Sequence, residues 1–252
     1  VLAEIVAFLK WKHLTSLWKC GDQALNARLF CTETHSLVHE GGKNTLPISW
    51  PWALNRTPKL LSLRIKATGP RFYVVCPDID LHSIPESLTR LDLRFYNAFY
   101  AFIPSFSLIQ PNRILYNISE KLPNLKSLTI DAEEGLTKEF FGILPAGLTK
   151  LVLRSAQSRI ASYAFLKTLP QDLKCLKLRF LITSFDAEMV FPPNLTELDI
   201  RAPLPLLLDR LPASLVSLEV SGEQGDLNIK TDLKRLPQGL KRLYLATQSR
   251  SE

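Results

Sequence analysis

Pro145-Ala146-Gly147-Leu148-Thr149-Lys150-Leu151-Val152-Leu153-Arg154 decides the fold, because its phrase keeps returning along the chain. A proline, a short spacer and Leu-x-x-Leu-x-(Leu/Ile/Val) occur together eight times. The first leucines of the copies are Leu60, Leu88, Leu125, Leu148, Leu173, Leu195, Leu215 and Leu240, in steps of 28, 37, 23, 25, 22, 20 and 25 residues. In Leu151-Val152-Leu153 the two leucines fall on one face of a strand and the valine on the other, since strand side chains alternate. So short a strand cannot bury its apolar face alone. A parallel stack of them, each returning through roughly fifteen residues on the far side, encloses a continuous core. Proline suits the turn into each strand, having no N–H to donate and disfavouring helix. The expected fold class is α/β, a right-handed solenoid whose parallel strands line a concave face.

Outward from the strands the pattern loosens. Gly135–Leu144 and Ser158–Leu169 carry apolar residues at helical spacing, including Phe140, Phe141, Tyr163 and Leu166, and are expected as short helices packed on the strands. Arg201-Ala202-Pro203-Leu204-Pro205 is expected to be extended. The 37-residue step calls for either an insertion or a degenerate ninth repeat.

The phrase resembles the leucine-rich repeat family, whose unit runs Leu-x-x-Leu-x-Leu-x-x-Asn/Cys-x-Leu. The likeness covers about residues 58 to 246. Its Asn/Cys position instead holds Thr68, Tyr96, Glu133, Ala156, Leu181, Pro203, Glu223 and Gln248, so the usual asparagine ladder is missing and the backbone at that corner must be satisfied otherwise. The Pro-x-x-Leu-x-x-Leu-x-Leu form is more similar to the irregular, FNIP-type repeats of fungal and amoebal intracellular proteins. The resemblance implies a protein–protein interaction module.

Residues 1–45 read as a separate helical module ahead of a solenoid over 46–252. Ile5, Phe8 and Leu9, then Leu14, Leu17 and Trp18, then Leu25, Leu29 and Phe30 recur at helical spacing, with Gly21-Asp22 and Gly41-Gly42 as breaks. The string Leu2-Ala3-Glu4-Ile5, followed by Phe8 to Trp18, resembles an F-box, the helical module that docks on the Skp-type linker of cullin ubiquitin ligases. That resemblance implies linker docking through Leu2, Ile5, Leu14 and Leu17, and a substrate-recognition role for the repeats. Alternatively these helices only cap the apolar end of the solenoid, in a non-ligase scaffold or receptor fragment. After Leu245 seven residues remain, so the last strand is expected to leave an open apolar edge, met by more chain or by a partner.

Composition agrees with a core-bearing soluble protein: 252 residues, 46% apolar and 22% charged. No apolar run reaches the roughly 18 residues of a membrane span, so no membrane association is expected. Four cysteines without paired spacing read as reduced thiols in a cytoplasmic or nuclear protein. The chain starts at Val1 without a signal peptide and is read as a fragment or a trimmed chain. Glycosylation triplets at Asn55, Asn117 and Asn194 support an extracellular alternative.

No cofactor, metal or enzymatic activity is expected. Phosphate-cradling loops, nucleophile elbows and His-Glu-x-x-His are absent. Cys31, His35 and His39 would share a stripe only on a continuous helix, with no fourth ligand in view.

Alternation also names the residues that face out from the strands. The last outward column is Lys66, Arg94, Asp131, Arg154, Arg179, Arg201, Ser221 and Ala246; the middle one is Arg64, Asp92, Thr129, Val152, Lys177, Asp199, Glu219 and Tyr244. The first is Ser62, Arg90, Ser127, Lys150, Cys175, Glu197, Ser217 and Arg242. Of the net +7, an excess of +5 falls on these 24 positions, ten basic against five acidic. The expected binding surface comprises Lys66, Arg94, Arg154, Lys177, Arg179, Arg201 and Tyr244, receiving an acidic or phosphorylated protein segment. A merely solvated strand face is the plainer reading. Nucleic acid is the lesser partner, because Tyr244 alone offers a ring for stacking bases. Reversing Arg154, Arg179 and Arg201 to Glu is expected to abolish capture with thermal stability nearly unchanged.

Overall fold

Every copy of the phrase becomes a strand, and the strands lie side by side in chain order. The computed structural model describes residues 35–41, 54, 57–68, 84–96, 117–132, 138–184, 189–202, 204–222 and 233–247. Among these, one sheet contains β1 (Ser36–Gly41), β2 (Ser62–Thr68), β3 (Arg90–Tyr96), β4 (Ser127–Ala132), β5 (Lys150–Ser162), β6 (Cys175–Ser184), β7 (Glu197–Arg201), β8 (Ser217–Gly222) and β9 (Arg242–Thr247). The order is sequential and every neighbouring pair is parallel.

The register follows the leucines. Leu63, Leu91, Leu128, Leu151, Leu176, Leu198 and Leu218 are partners across β2 to β8, and all are withdrawn from water. Two residues on, Ile65, Leu93, Ile130, Leu153, Leu178, Ile200 and Val220 form a second buried row. Each such side chain contributes about 1.5–3 kcal/mol by leaving water, so the row rather than any one strand holds the sheet together.

A turn and a ladder fix how each strand begins. The amide of the first leucine donates to the carbonyl three residues back, as in Leu88 to Pro85, Leu148 to Pro145 and Leu215 to Pro212. Proline is harmless there, since the turn uses its oxygen and not the hydrogen it lacks. In two copies the proline comes one residue later in the same turn: the turn opens at Thr57 and Leu122, and Pro58 and Pro123 take its second position, which their fixed φ favours. The residue after each first leucine then offers its carbonyl to two amides of the next coil: Leu61 accepts from Thr89 and Arg90 at 2.9 and 3.0 Å. The same bonding repeats through Thr89, Lys126, Thr149, Lys174, Thr196 and Val216. Hydroxyls of Thr89, Thr149 and Thr196 add bonds to the same carbonyls, and Ser87 and Ser214 each bond two carbonyls of the preceding coil. A polar ladder exists after all, at the start of the strands rather than at the Asn/Cys corner.

Four expectations need correction. Ser36–Gly41 is a strand paired with β2, not part of a helical module, so the solenoid begins before the boundary set at residue 45. His39 lies in that strand, which removes the helix on which a Cys31, His35 and His39 stripe depended. Ser158–Ser162 continues β5, whose pairing with β6 resumes after a register shift between Arg154 and Arg159; only Tyr163–Thr168 is helical, as a 3₁₀ turn. Leu204–Leu207 is a helical turn rather than extended chain, with Pro205 tolerated in its first turn. Within the 37-residue step β3 and β4 pair directly, so no further strand separates them in the sheet. Further short helices among the described residues are Ile118–Lys121 and Lys138–Phe141, the latter a single turn inside the longer expected helix, with 3₁₀ turns at Leu208–Arg210 and Leu233–Arg235. Leu2, Ile5, Leu14, Leu17 and the rest of residues 1–34 lie outside the described residues.

The return segments close the core. Phe141 stacks on Phe165 with ring centroids 3.9 Å apart, and Phe140 meets Phe141 edge-on at 5.5 Å. Tyr163 is buried beside them, and its hydroxyl donates to the Arg201 carbonyl at 2.9 Å, passing over the β6 coil to reach the end of β7. Burial pushes the Tyr163 phenol well above its usual range.

Candidate functional site

The outward columns are as the alternation requires. Lys66, Arg94, Asp131, Arg154 and Arg179 are successive register partners, Arg201 opposes Ser221, and Lys177, Asp199, Glu219 and Tyr244 form one line. All seven expected binding residues therefore occupy this sheet face. What alternation could not show is how they pair.

Two aspartates organise the face from beneath. Asp92, whose side chain is 7% exposed, accepts Arg64 Nε at 2.8 Å on Oδ2 and Arg94 on both oxygens, Nε at 2.8 Å and Nη2 at 3.1 Å. Asp199 is buried too, and takes Arg179 Nε at 2.8 Å on Oδ2. Arg179 also gives Nη2 to Glu219 at 2.7 Å. Its burial opposes the charge, yet the carboxylates of Asp199 and Glu219 hold its pKa above the ordinary value. Asp199 Oδ1 and Arg154 Nε are buried with no hydrogen-bond partner among the described residues; Arg154 meets Asp131 only as an ion pair at 3.8 Å.

These pairings change the meaning of the basic column. Arg179 was expected to be a solvated contact residue, but it neutralises a buried carboxylate. Reversing it to Glu would crowd three carboxylates together and leave Asp199 without its cation, so the triple reversal is not silent for stability. For Asp92 the signal was present in Leu91-Asp92-Leu93-Arg94, where an Asp between two core residues shares its face with the Arg two positions on; Asp199, between Leu198 and Ile200, instead takes Arg179 of the preceding strand, which its own strand's sequence does not show.

Lys177 and Glu197 approach to 2.5 Å. The bond to Glu197 raises the Lys177 ammonium, and the bond to Lys177 lowers the Glu197 carboxyl. The thiol of Cys175, buried and facing Glu197, is pushed up to about 12, first by desolvation and then by that carboxylate, which favours the protonated form. At the end of the sheet Tyr244 is well exposed and Leu243 partly so. Among the described residues no group of three His, Cys, Asp or Glu could hold a metal, and no helix is long and apolar enough to cross a membrane.

No family model matches the chain, and no curated protein does. Solved structures do. The leucine-rich repeat-containing protein LegL7 from Legionella pneumophila is similar with a TM-score of 0.44 and 19% identity, over 87% of this chain and 77% of that one. CroV588, described as a circular leucine-rich repeat protein, is similar with a TM-score of 0.38 and 19% identity, over 83% of this chain and 32% of that one. The solenoid itself rests on the strand order and register given above.

Proposed function

We propose that the chain is a protein-recognition module of leucine-rich repeat type that receives a protein segment on its concave strand face. The observation that carries this reading is the face itself: β2 to β9 align 24 outward positions in register, with arginines held upright by buried carboxylates. An open sheet of ordered polar groups suits an extended ligand, and the groups are oriented before it arrives.

A photo-crosslinking residue at Lys150, at Arg242 on β9, or at Asp209 on the return side tests the assignment. Protein adducts from Lys150 or Arg242 and none from Asp209 are expected; adducts from Asp209 alone would overturn it.

The finer reading is a substrate-recognition subunit of a cullin-type ubiquitin ligase, supported by the F-box resemblance around Leu2, Ile5, Leu14 and Leu17 in a cytoplasmic or nuclear protein. Co-purification with a Skp-type linker, lost on Leu14→Asp/Leu17→Asp, is the expected result. Absence of the linker from the intact chain's complexes would leave the alternative, a scaffold or receptor fragment.

A further inference from the structure

The acidic residues of the concave face stand at two depths. On β3 and β4 they are sunk: the side chains of Asp92 and Asp131 are 7% and 15% exposed, lying under Arg64, Arg94 and Arg154. On β7 and β8 only Asp199 is sunk, at 3%; Glu197 and Glu219 reach the surface, 37% and 35% exposed, beside Lys177 and Arg179. An approaching molecule therefore meets different chemistry on the two halves, although both contain carboxylates. Over β2 to β5 the exposed and partly exposed cations at outward positions are Arg64, Lys66, Arg90, Arg94, Lys150 and Arg154, against one partly exposed carboxylate, Asp131 at 15%, among the described side chains. Over β6 to β9 the surface alternates in sign.

The first outward column sharpens the point. Arg90, Ser127 and Lys150 are register partners on β3, β4 and β5, so the small serine lies in a gap between two exposed cations about 9.6 Å apart, two strand spacings. A peptide extended as a polyproline-II helix has three residues per turn and rises about 3.1 Å per residue, so acidic residues three positions apart share one side, about 9.3 Å from each other, and would reach both.

We propose that the β2–β5 half of the concave face, and not the Arg179–Arg201 region, is the docking site for an acidic, extended peptide segment of another protein, with Arg90 and Lys150 as its outer contacts and Arg64 and Arg94 as guanidinium donors preset by Asp92. This deepens the concave-face reading and rests on it. Charge complementarity selects the occupant: the outward cations of this half outnumber its carboxylates, and Asp92 and Asp131 lie deeper than the arginines that cover them, while Lys150 at the far edge also feels Glu197. Asp92 removes the need to order two long side chains at the moment of binding.

The test uses a fluorescent ten-residue peptide with Glu at every third position, followed by anisotropy at low ionic strength. Arg90→Glu/Lys150→Glu weakens binding at least tenfold with the thermal transition unchanged, since both side chains are exposed. Arg242→Glu, in the same column on β9, changes it less than twofold. An equal effect of the two substitutions, or none from the Arg90/Lys150 pair, overturns the assignment to β2–β5. So does a single-stranded oligonucleotide of matched charge that binds more tightly than the peptide and competes with it. Crosslinking separates the two claims: partner adducts at Arg242 but not at Lys150 would keep the concave face and remove this half of it.

Discussion

The β6 coil and the β9 coil share one phrase and differ in fate. Leu176 in β6 is fully buried, whereas its counterpart Leu243 in β9 is 37% exposed, and Leu240 and Leu245 are only partly covered. Both strands have the same register and the same opening turn. The difference shows that Leu-x-x-Leu-x-Leu specifies where a side chain points, while burial is conferred by coils on either side. Stability should therefore be graded along the stack, and that gradient can be broken.

The largest contrast is expected from truncating the shared leucine. Leu176→Ala should cost about 3–4 kcal/mol in urea unfolding, from lost transfer energy and an uncollapsed cavity, against less than about 1 kcal/mol for Leu243→Ala. Equal costs would mean that burial is uniform along the stack. Next comes the acid under the arginines. Asp92→Ala leaves Arg64 and Arg94 without their shared partner and should cost about 3 kcal/mol, whereas Glu219→Ala, at the same column position but half exposed, should cost under about 1 kcal/mol.

A pH comparison isolates the Lys177–Glu197 pair. The Glu197 carboxyl is lowered in the folded state, so its contribution is present above the unfolded carboxylate pKa of about 4.3 and is lost as pH falls through the lower folded value. Lys177 is raised, so its share is intact below about pH 10.4 and disappears as pH rises through the folded pKa. The difference in urea midpoint between the native chain and Glu197→Gln should be flat from about pH 6 to 9 and close below about pH 4. A gap that persists in acid would assign the effect to packing.

The smallest expected change is a gain at the weak end. Gly239 occupies the turn position held by Ser87 and Ser214, and a Cβ there would sit 3.8 Å from both the Ala213 and Leu215 carbonyls. These match the two oxygens that Ser214 bonds one coil earlier. Gly239→Ser should stabilise the β9 coil by about 0.5–1 kcal/mol, read as slower amide exchange in β9.

Eight of the nine strands, their parallel order and their outward columns were legible because leucine spacing and strand alternation are both local rules. β1 escaped because its copy is eroded: Thr34 replaces the first leucine, His39 replaces the last, and no proline precedes them. Only Leu37 keeps the pattern, and it is buried as the others are. The return segments were harder, since β5 pairing, not apolar spacing, draws Ser158–Ser162 into a strand. Within the site, column membership could be read but depth could not. Whether a carboxylate sinks like Asp92 or surfaces like Glu219 depends on side-chain length: the shorter Asp stays below while the guanidinium bends over it.

Tyr163 holds a consequence for how the molecule comes apart. A stack in which every coil touches only its neighbours should fray one unit at a time. The hydroxyl that crosses from the end of β5 to the Arg201 carbonyl staples three successive coils into a block. Pulled from its two ends, the chain should yield in single-coil steps until it reaches β5 to β7, and there give way in one larger event.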